Sequence, residues 1–126
     1  MKQLPPRRRA LSSESRKSIA FLQATLYDVY PQNMEEWEDG FRRDANPERE
    51  IQRWLNLAGV FKYFTDGKAL TREQRKDIFD LILLACTNGP ETVSLTFTPQ
   101  VLSKSRTQEI LDELKKLWDA AESVSG

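Results

Sequence analysis

The chain has 126 residues, the usual size of one domain, and 39% of them are hydrophobic and 30% charged. Three Trp, three Tyr and six Phe exclude an intrinsically disordered chain, which lacks the aromatic residues needed for a core. The formal net charge is zero, which argues against a dedicated nucleic-acid-binding protein, and the apolar run 81–86 is too short to span a membrane.

The first predicted helix begins at Ser12 or Ser13, because a serine side chain can accept a hydrogen bond from a backbone amide of the first turn. It is expected to end at Tyr30, since the residue before Pro31 avoids the helical conformation. Its apolar face repeats at helical spacing and consists of Ile19, Leu22, Leu26 and Val29.

Two further helices are predicted on either side of a polar turn near residues 43–46. Asn33 caps the first of them, and its apolar face consists of Met34, Trp37 and Phe41. The second begins at Asn46-Pro47, because proline suits the first helical position, where the backbone amide needs no partner. A turn signal at Gly67 ends this helix.

A fourth helix begins with a capping box, formed by Thr71 and Gln74. From 78 to 86 it is apolar on nearly all sides, which is typical of a helix at the centre of a fold. Gly89, followed by a proline, ends it.

Residues 91–98 alternate between apolar and polar side chains, which is the period of a half-buried strand. No other segment offers a convincing strand partner, and Gly89-Pro90 equally suits the start of a short helix. The segment is therefore expected to be an extended or short helical connector. If it is an exposed strand edge, it could pair with a second copy of the chain.

The last predicted helix begins at Ser103 or Ser105, and its inner face consists of Ile110, Leu114, Leu117, Trp118 and Ala121. Together the elements predict an all-α fold, a compact bundle of about five helices. Residues 1–12 lack periodicity and are expected to form a mobile basic arm, followed by a single helical domain at 13–126.

The sequence offers few groups for catalysis. There is no histidine and only one cysteine, Cys86, so Ser-His-Asp and Cys-His arrangements and a structural zinc site are excluded. No glycine-rich phosphate-binding motif is present. We therefore expect no catalytic residues, no metal, no cofactor and no enzyme activity.

A weaker alternative is a magnesium-dependent hydrolase that uses paired carboxylates. Acidic residues three apart lie on one face of a helix and can share a metal ion. The candidate pairs are Glu35/Glu38, Glu36/Asp39, Asp77/Asp80 and Glu109/Asp112. These pairs are dispersed, and 19 acidic residues produce such spacings by chance, so solvated helix faces are the favoured interpretation.

The densest charge cluster lies where the second and third predicted helices meet. Its candidate binding residues are Arg42, Arg43, Asp44, Glu48, Arg49 and Arg53. Arginines beside a helix N-terminus can bind an anion or a carboxylate of a partner. A local salt-bridge network that fixes the corner, with Glu50 paired to Arg42 or Arg43, is favoured because the acids can satisfy the arginines locally.

The basic residues near the start of the chain suggest a second kind of site, able to neutralise a few phosphates. They are Arg7, Arg8, Arg9, Arg16 and Lys17. No aromatic residues are interleaved with them for base stacking. The leading hypothesis is therefore a non-catalytic helical module in the cytoplasm that binds another protein or itself, away from membranes. The alternative is a nucleic-acid-associated accessory protein that uses the basic arm.

Overall fold

The computed structural model describes residues 10–125, without the side chains of 91, 94, 95 and 122–125. This part of the chain contains six α-helices and no strand, which confirms the all-α prediction. The helices are α1 (Ser13–Leu26), α2 (Met34–Arg42), α3 (Pro47–Thr65), α4 (Arg72–Asn88), α5 (Pro90–Thr96) and α6 (Lys104–Ser125). Within the described residues, no helix combines the length and the apolar character needed to cross a membrane.

Side-chain caps fix most of the helix starts where the sequence predicts them. The Ser12 hydroxyl accepts a hydrogen bond from the Ser15 amide, and capping boxes begin α2 at Asn33 and α4 at Thr71. At α6 the Ser103 hydroxyl accepts from the backbone of the first turn, so the cap is Ser103 and not Ser105. α1 is shorter than predicted, since it ends in a turn at 27–29.

The segment 91–98, for which the sequence leaves strand and helix open, is mainly helical. Pro90 occupies the first position of α5, where its missing amide costs nothing, and Val93 is fully buried. Gly89 has φ +89°, a conformation that favours glycine, and it separates α4 from α5. Only Phe97 and the residues after it leave the helix. This segment is therefore not a strand, and it offers no strand edge through which two copies of the chain could pair.

The described chain falls into two compact units, divided within α3 between Gly59 and Val60. In the first unit α1 packs against α2, and in the second α5 packs against both α4 and α6. The apolar residues buried in the first unit include Ile19, Leu22, Leu26, Val29, Trp37, Phe41 and Ile51, and those in the second include Phe61, Phe79, Leu81, Ile82, Ile110 and Leu114. The single domain at 13–126 stays a prediction.

A buried carboxylate in the second unit joins α4 to the segment that leads into α6. Asp77 is 3% exposed, and its Oδ2 accepts hydrogen bonds from the backbone amides of Gln100, Val101 and Leu102 at 2.9, 2.7 and 3.0 Å. A buried charge is tolerated only when it is paired or hydrogen-bonded, and bonds to an ionised acceptor are among the stronger ones. Asp77 therefore fixes the path of the chain at 100–102.

Replacing Asp77 tests this anchoring role. Asp77→Ala is expected to lower the free energy of unfolding by about 2–4 kcal/mol, because three backbone amides lose their acceptor. Asp80→Ala is the control, since the Asp80 carboxylate pairs with Lys76 on an exposed face and such pairs contribute about 0–1 kcal/mol. Urea denaturation measures both variants, and equal losses would contradict the anchoring role.

Candidate functional site

Four aromatic side chains of the first unit pack together near the turn between α2 and α3, and we call them the aromatic cluster. Trp37 and Phe41 lie one turn apart on α2, Trp54 lies on α3, and Tyr30 follows α1. The Trp37 ring centroid lies 5.0 Å from that of Trp54, 5.4 Å from that of Tyr30 and 5.7 Å from that of Phe41. These separations are those of aromatic rings in direct contact.

A pocket of about 210 Å³ opens over the aromatic cluster, and we call it the aromatic pocket. Trp37 and Phe41 are buried in its wall, whereas Tyr30 and Trp54 are partly exposed. The other residues that line it are Gln32, Glu36, Gly40, Asp44 and Glu50. The described lining thus contains three carboxylates and neither a lysine nor an arginine. Glu50 is offset by its ion pair with Arg53, so the negative potential that attracts cations comes mainly from Glu36 and Asp44.

One oxygen of each pocket carboxylate is held in place by a neighbouring group. Glu36 Oε1 accepts a hydrogen bond from the backbone N–H of Asn33 at 3.1 Å, as part of the capping box of α2. Asp44 Oδ1 accepts a hydrogen bond from the backbone N–H of Asn46 at 2.9 Å. Glu50 Oε2 accepts from Arg53 Nη1 at 3.0 Å. The second oxygen of each makes no hydrogen bond with another described residue, so each carboxylate is oriented and retains capacity to accept.

The arginines of the predicted charge cluster are not gathered into one anion site. Arg42 lies 3.6 Å from Glu38 and 3.4 Å from Asp39, while Arg53 pairs with Glu50 one turn earlier on α3. Glu50 is therefore paired with Arg53, and not with Arg42 or Arg43. Arg43, Glu48 and Arg49 are exposed and form no ion pair with another described residue. Of the six predicted binding residues, only Asp44 lines the aromatic pocket.

The predicted basic arm is only partly described, because Arg7, Arg8 and Arg9 lie outside the described residues. Arg16 lies on α1, and its Nε donates to Glu38 Oε2 of α2 at 2.8 Å. Lys17 lies 3.9 Å from Glu14, also on α1. These two basic side chains therefore have acidic neighbours within the chain.

A second cleft, of about 550 Å³, lies in the second unit and carries both signs of charge. Its charged lining residues are Lys68, Arg106, Glu109, Asp112, Glu113 and Lys116. Arg106 pairs with Glu109 at 3.4 Å, and Lys116 pairs with Glu113 at 3.2 Å. Because neighbouring charges offset each other, this cleft selects no particular class of ligand.

In each pair considered as metal ligands, at least one carboxylate is bound by another group of the chain. The Asp77 carboxylate binds backbone amides, Asp80 pairs with Lys76, and Glu109 pairs with Arg106. In the described part of the chain, no group of three or more Asp, Glu, His or Cys side chains is placed to hold a metal ion.

The hydrogen bond from Arg16 of α1 to Glu38 of α2 has a measurable consequence for stability. Glu38 is 8% exposed, so Glu38→Ala is expected to lower the free energy of unfolding by about 1–2 kcal/mol through loss of its bond to Arg16 and of its weaker ion pair with Arg42. The value is modest because the Arg16 side chain is 62% exposed. Glu35→Ala, at an exposed position of the same helix, should change the free energy of unfolding by less than about 0.5 kcal/mol. Urea denaturation that ranks the two variants in the opposite order would refute the link.

Comparison with known proteins gives no relative from which a function could be transferred. No protein-family model, no curated protein and no solved structure matches the chain. The chemistry of the aromatic pocket is therefore argued from its own residues.

Proposed function

We propose that the protein is a non-catalytic interaction module that binds a cationic side chain of a partner protein in the aromatic pocket. The observation that supports the proposal is the composition of the lining: among the described residues it contains three carboxylates and no basic residue, together with the partly exposed side chains of Tyr30 and Trp54. A cytoplasmic location belongs to the same proposal and is supported by the single cysteine of the chain.

The physical basis is the joint effect of ring faces and carboxylates on a positive charge. A cation over the face of Trp or Tyr is attracted by the ring quadrupole, and more strongly when it is partly desolvated. Carboxylates at the rim add Coulomb attraction, which is larger at a protein surface than in bulk water. Both effects favour the same ligand charge.

The size of the pocket favours a single side chain over a cofactor or a drug-sized molecule. Its volume of about 210 Å³ is below the range of about 300–1,000 Å³ that is usual for small-molecule sites. A lysine or arginine from a partner can enter such a pocket while the rest of the partner contacts the surrounding surface.

The nucleic-acid alternative receives no support from this site. The carboxylates of Glu36, Asp44 and Glu50 repel phosphate groups. The described basic residues of the predicted arm, Arg16 and Lys17, already have acidic neighbours. The pocket therefore favours a cationic partner.

Removing the three pocket charges tests the proposal. The variant Glu36→Gln/Asp44→Asn/Glu50→Gln keeps an amide oxygen wherever a carboxylate oxygen now accepts a hydrogen bond, so the helix cap and the turn are retained. Binding of a blocked glycine-flanked lysine peptide is measured by NMR titration of the tryptophan indole signals. The variant is expected to bind at least about tenfold more weakly, equivalent to about 1.4 kcal/mol.

The matched control is Glu35→Gln/Glu48→Gln/Glu73→Gln, which removes the same number of charges from exposed positions that do not line the pocket. It should retain most of the affinity, apart from a small loss that added salt also produces. Equal weakening in both variants, or no binding to the unaltered protein, would overturn the proposed site.

A further inference from the structure

We infer that the outward face of α1 is an interface at which two copies of the chain pair antiparallel to form a dimer. The interface belongs to the first unit and does not use the aromatic pocket, so it goes beyond the proposed function. Three observations carry it: an uncharged stretch in an exposed helix, the apolar side chains on the exposed face of that stretch, and the opposite charges at its two ends.

The stretch of α1 and its following turn between Lys17 and Asp28 contains no charged residue, although 30% of the residues of the chain are charged. A surface helix of a globular protein usually carries charged and polar side chains opposite its buried face. The buried face of this stretch is fixed by Ile19, Leu22 and Leu26, which are fully buried in the first unit. The opposite face is exposed and nevertheless lacks charge, which is the pattern of a helix that is covered on both sides.

The exposed side of this stretch consists of apolar and aromatic side chains, and we call it the α1 face. At 3.6 residues per turn, its members fall within about a third of the helix circumference. They are Ala20, Phe21, Ala24 and Tyr27, the last of which continues the helical backbone conformation. All four are exposed, Phe21 at 42% and Tyr27 at 67%. Single exposed apolar residues are ordinary, whereas a contiguous group on one face is typical of a contact surface.

The two charged residues that bound the stretch indicate which polypeptide covers the α1 face. Lys17 and Asp28 have opposite signs and lie at opposite ends of the α1 face, and the helical rotation places both on the same side as that face. In a two-fold symmetric pair, residue i of one copy contacts residue j of the other, and the reverse. An axis between Leu22 and Gln23 therefore places each Lys17 opposite Asp28 of the second copy. The α1 face is complementary in charge to itself, so a second copy of the chain is the occupant that fits.

The same register also matches the sizes of the side chains on the α1 face. It places Phe21 of each copy opposite Ala24 of the other. A large side chain opposite a small one allows two helices to approach closely and interdigitate. A single pair of helices is smaller than a standard protein interface of about 1,600 Å², so we expect the dimer to have a micromolar and not a nanomolar dissociation constant.

Sedimentation equilibrium of the full-length chain at about 5–500 µM tests the inference, because a micromolar dimer dissociates within that range. Ala24→Glu places a charge against Phe21 at the centre of the interface, so it is expected to raise the dissociation constant at least about tenfold. Ala120→Glu is the matched control, because Ala120 is also an exposed helical alanine but lies on α6 in the second unit. Both variants should keep the helix content of the unaltered chain, since glutamate is a good helix former.

Exchange of the two charges tests the antiparallel register. Lys17→Asp alone places two carboxylates opposite each other, and Asp28→Lys alone places two ammonium groups opposite each other, so each variant should weaken the dimer. The double variant Lys17→Asp/Asp28→Lys restores opposite charges and is expected to recover most of the affinity. Within one copy the two residues lie about 16 Å apart along the helix, about twice the Debye length at physiological salt, so recovery reports a contact between copies.

A dimer that is weakened by Ala24→Glu, kept in Ala120→Glu and recovered by the double charge exchange supports the inference. A monomer at every concentration overturns it, and so does a dimer that Ala24→Glu and Ala120→Glu affect equally. A folded double variant that associates no more tightly than the single variants also overturns it. Asp28 has a further interaction within the chain, so if Asp28→Lys unfolds the protein, the comparison of Ala24→Glu with Ala120→Glu decides.

Discussion

The indole rings of Trp37 and Trp54 meet at 84° with their centroids 5.0 Å apart, and the elements of the first unit that form the site depend on this contact. An edge-to-face pair adds about 0.5–1.5 kcal/mol to the free energy gained by burial. Tyr30 packs against both indoles, so the chain that leaves α1 lies beside α2 and α3. The contact holds the acidic turn and the first residues of α3 around one opening, and the aromatic pocket exists because of it.

The carboxylates of the described chain discussed above fall into two groups, which differ in burial and in the number of donors that bind them. Asp77 and Glu38 are buried, and each is bound by more than one donor: backbone amides for Asp77, and Arg16 and Arg42 for Glu38. The pocket carboxylates are more exposed, and each is held through one oxygen only. The buried carboxylates, bound by several donors, stabilise the packing of the chain around them. The pocket carboxylates, each held through one oxygen, can still interact with an external cation. This difference supports a binding function at the pocket and a structural role elsewhere.

The sequence predicts the features of this fold that depend on near neighbours. The cap at Asn33 was predictable from its residue type, and the capping box at Thr71 because its two halves lie three residues apart. The alternation at 91–98 was ambiguous, since a period-two pattern and a short helix after Gly89-Pro90 are both compatible with the same residues. A strand forms there only if another segment of the chain can pair with it. The residues of the segment alone therefore do not decide between helix and strand.

The aromatic pocket could not be predicted from the sequence, because its lining converges from three parts of the chain. Trp37 was correctly assigned to the apolar face of its helix, but the helical spacing does not reveal that Trp54 on the next helix lies beside it and stays partly exposed. Asp44 was included among the candidates as part of a charge cluster, whereas Glu36 entered only as a possible metal ligand. The pairing of each arginine decides which acids remain at the pocket, and that pairing depends on side-chain geometry.

The contact of Asp77 with three consecutive amides also limits how the chain length can vary. One residue inserted or deleted between 100 and 102 moves at least one N–H group out of reach of a carboxylate held rigidly on α4. The turn at 66–70 has exposed polar residues and no comparable anchor among the described contacts, so it can accept extra residues at small cost. Homologous chains should therefore differ in length at the turn before α4 and agree in length at the segment before α6.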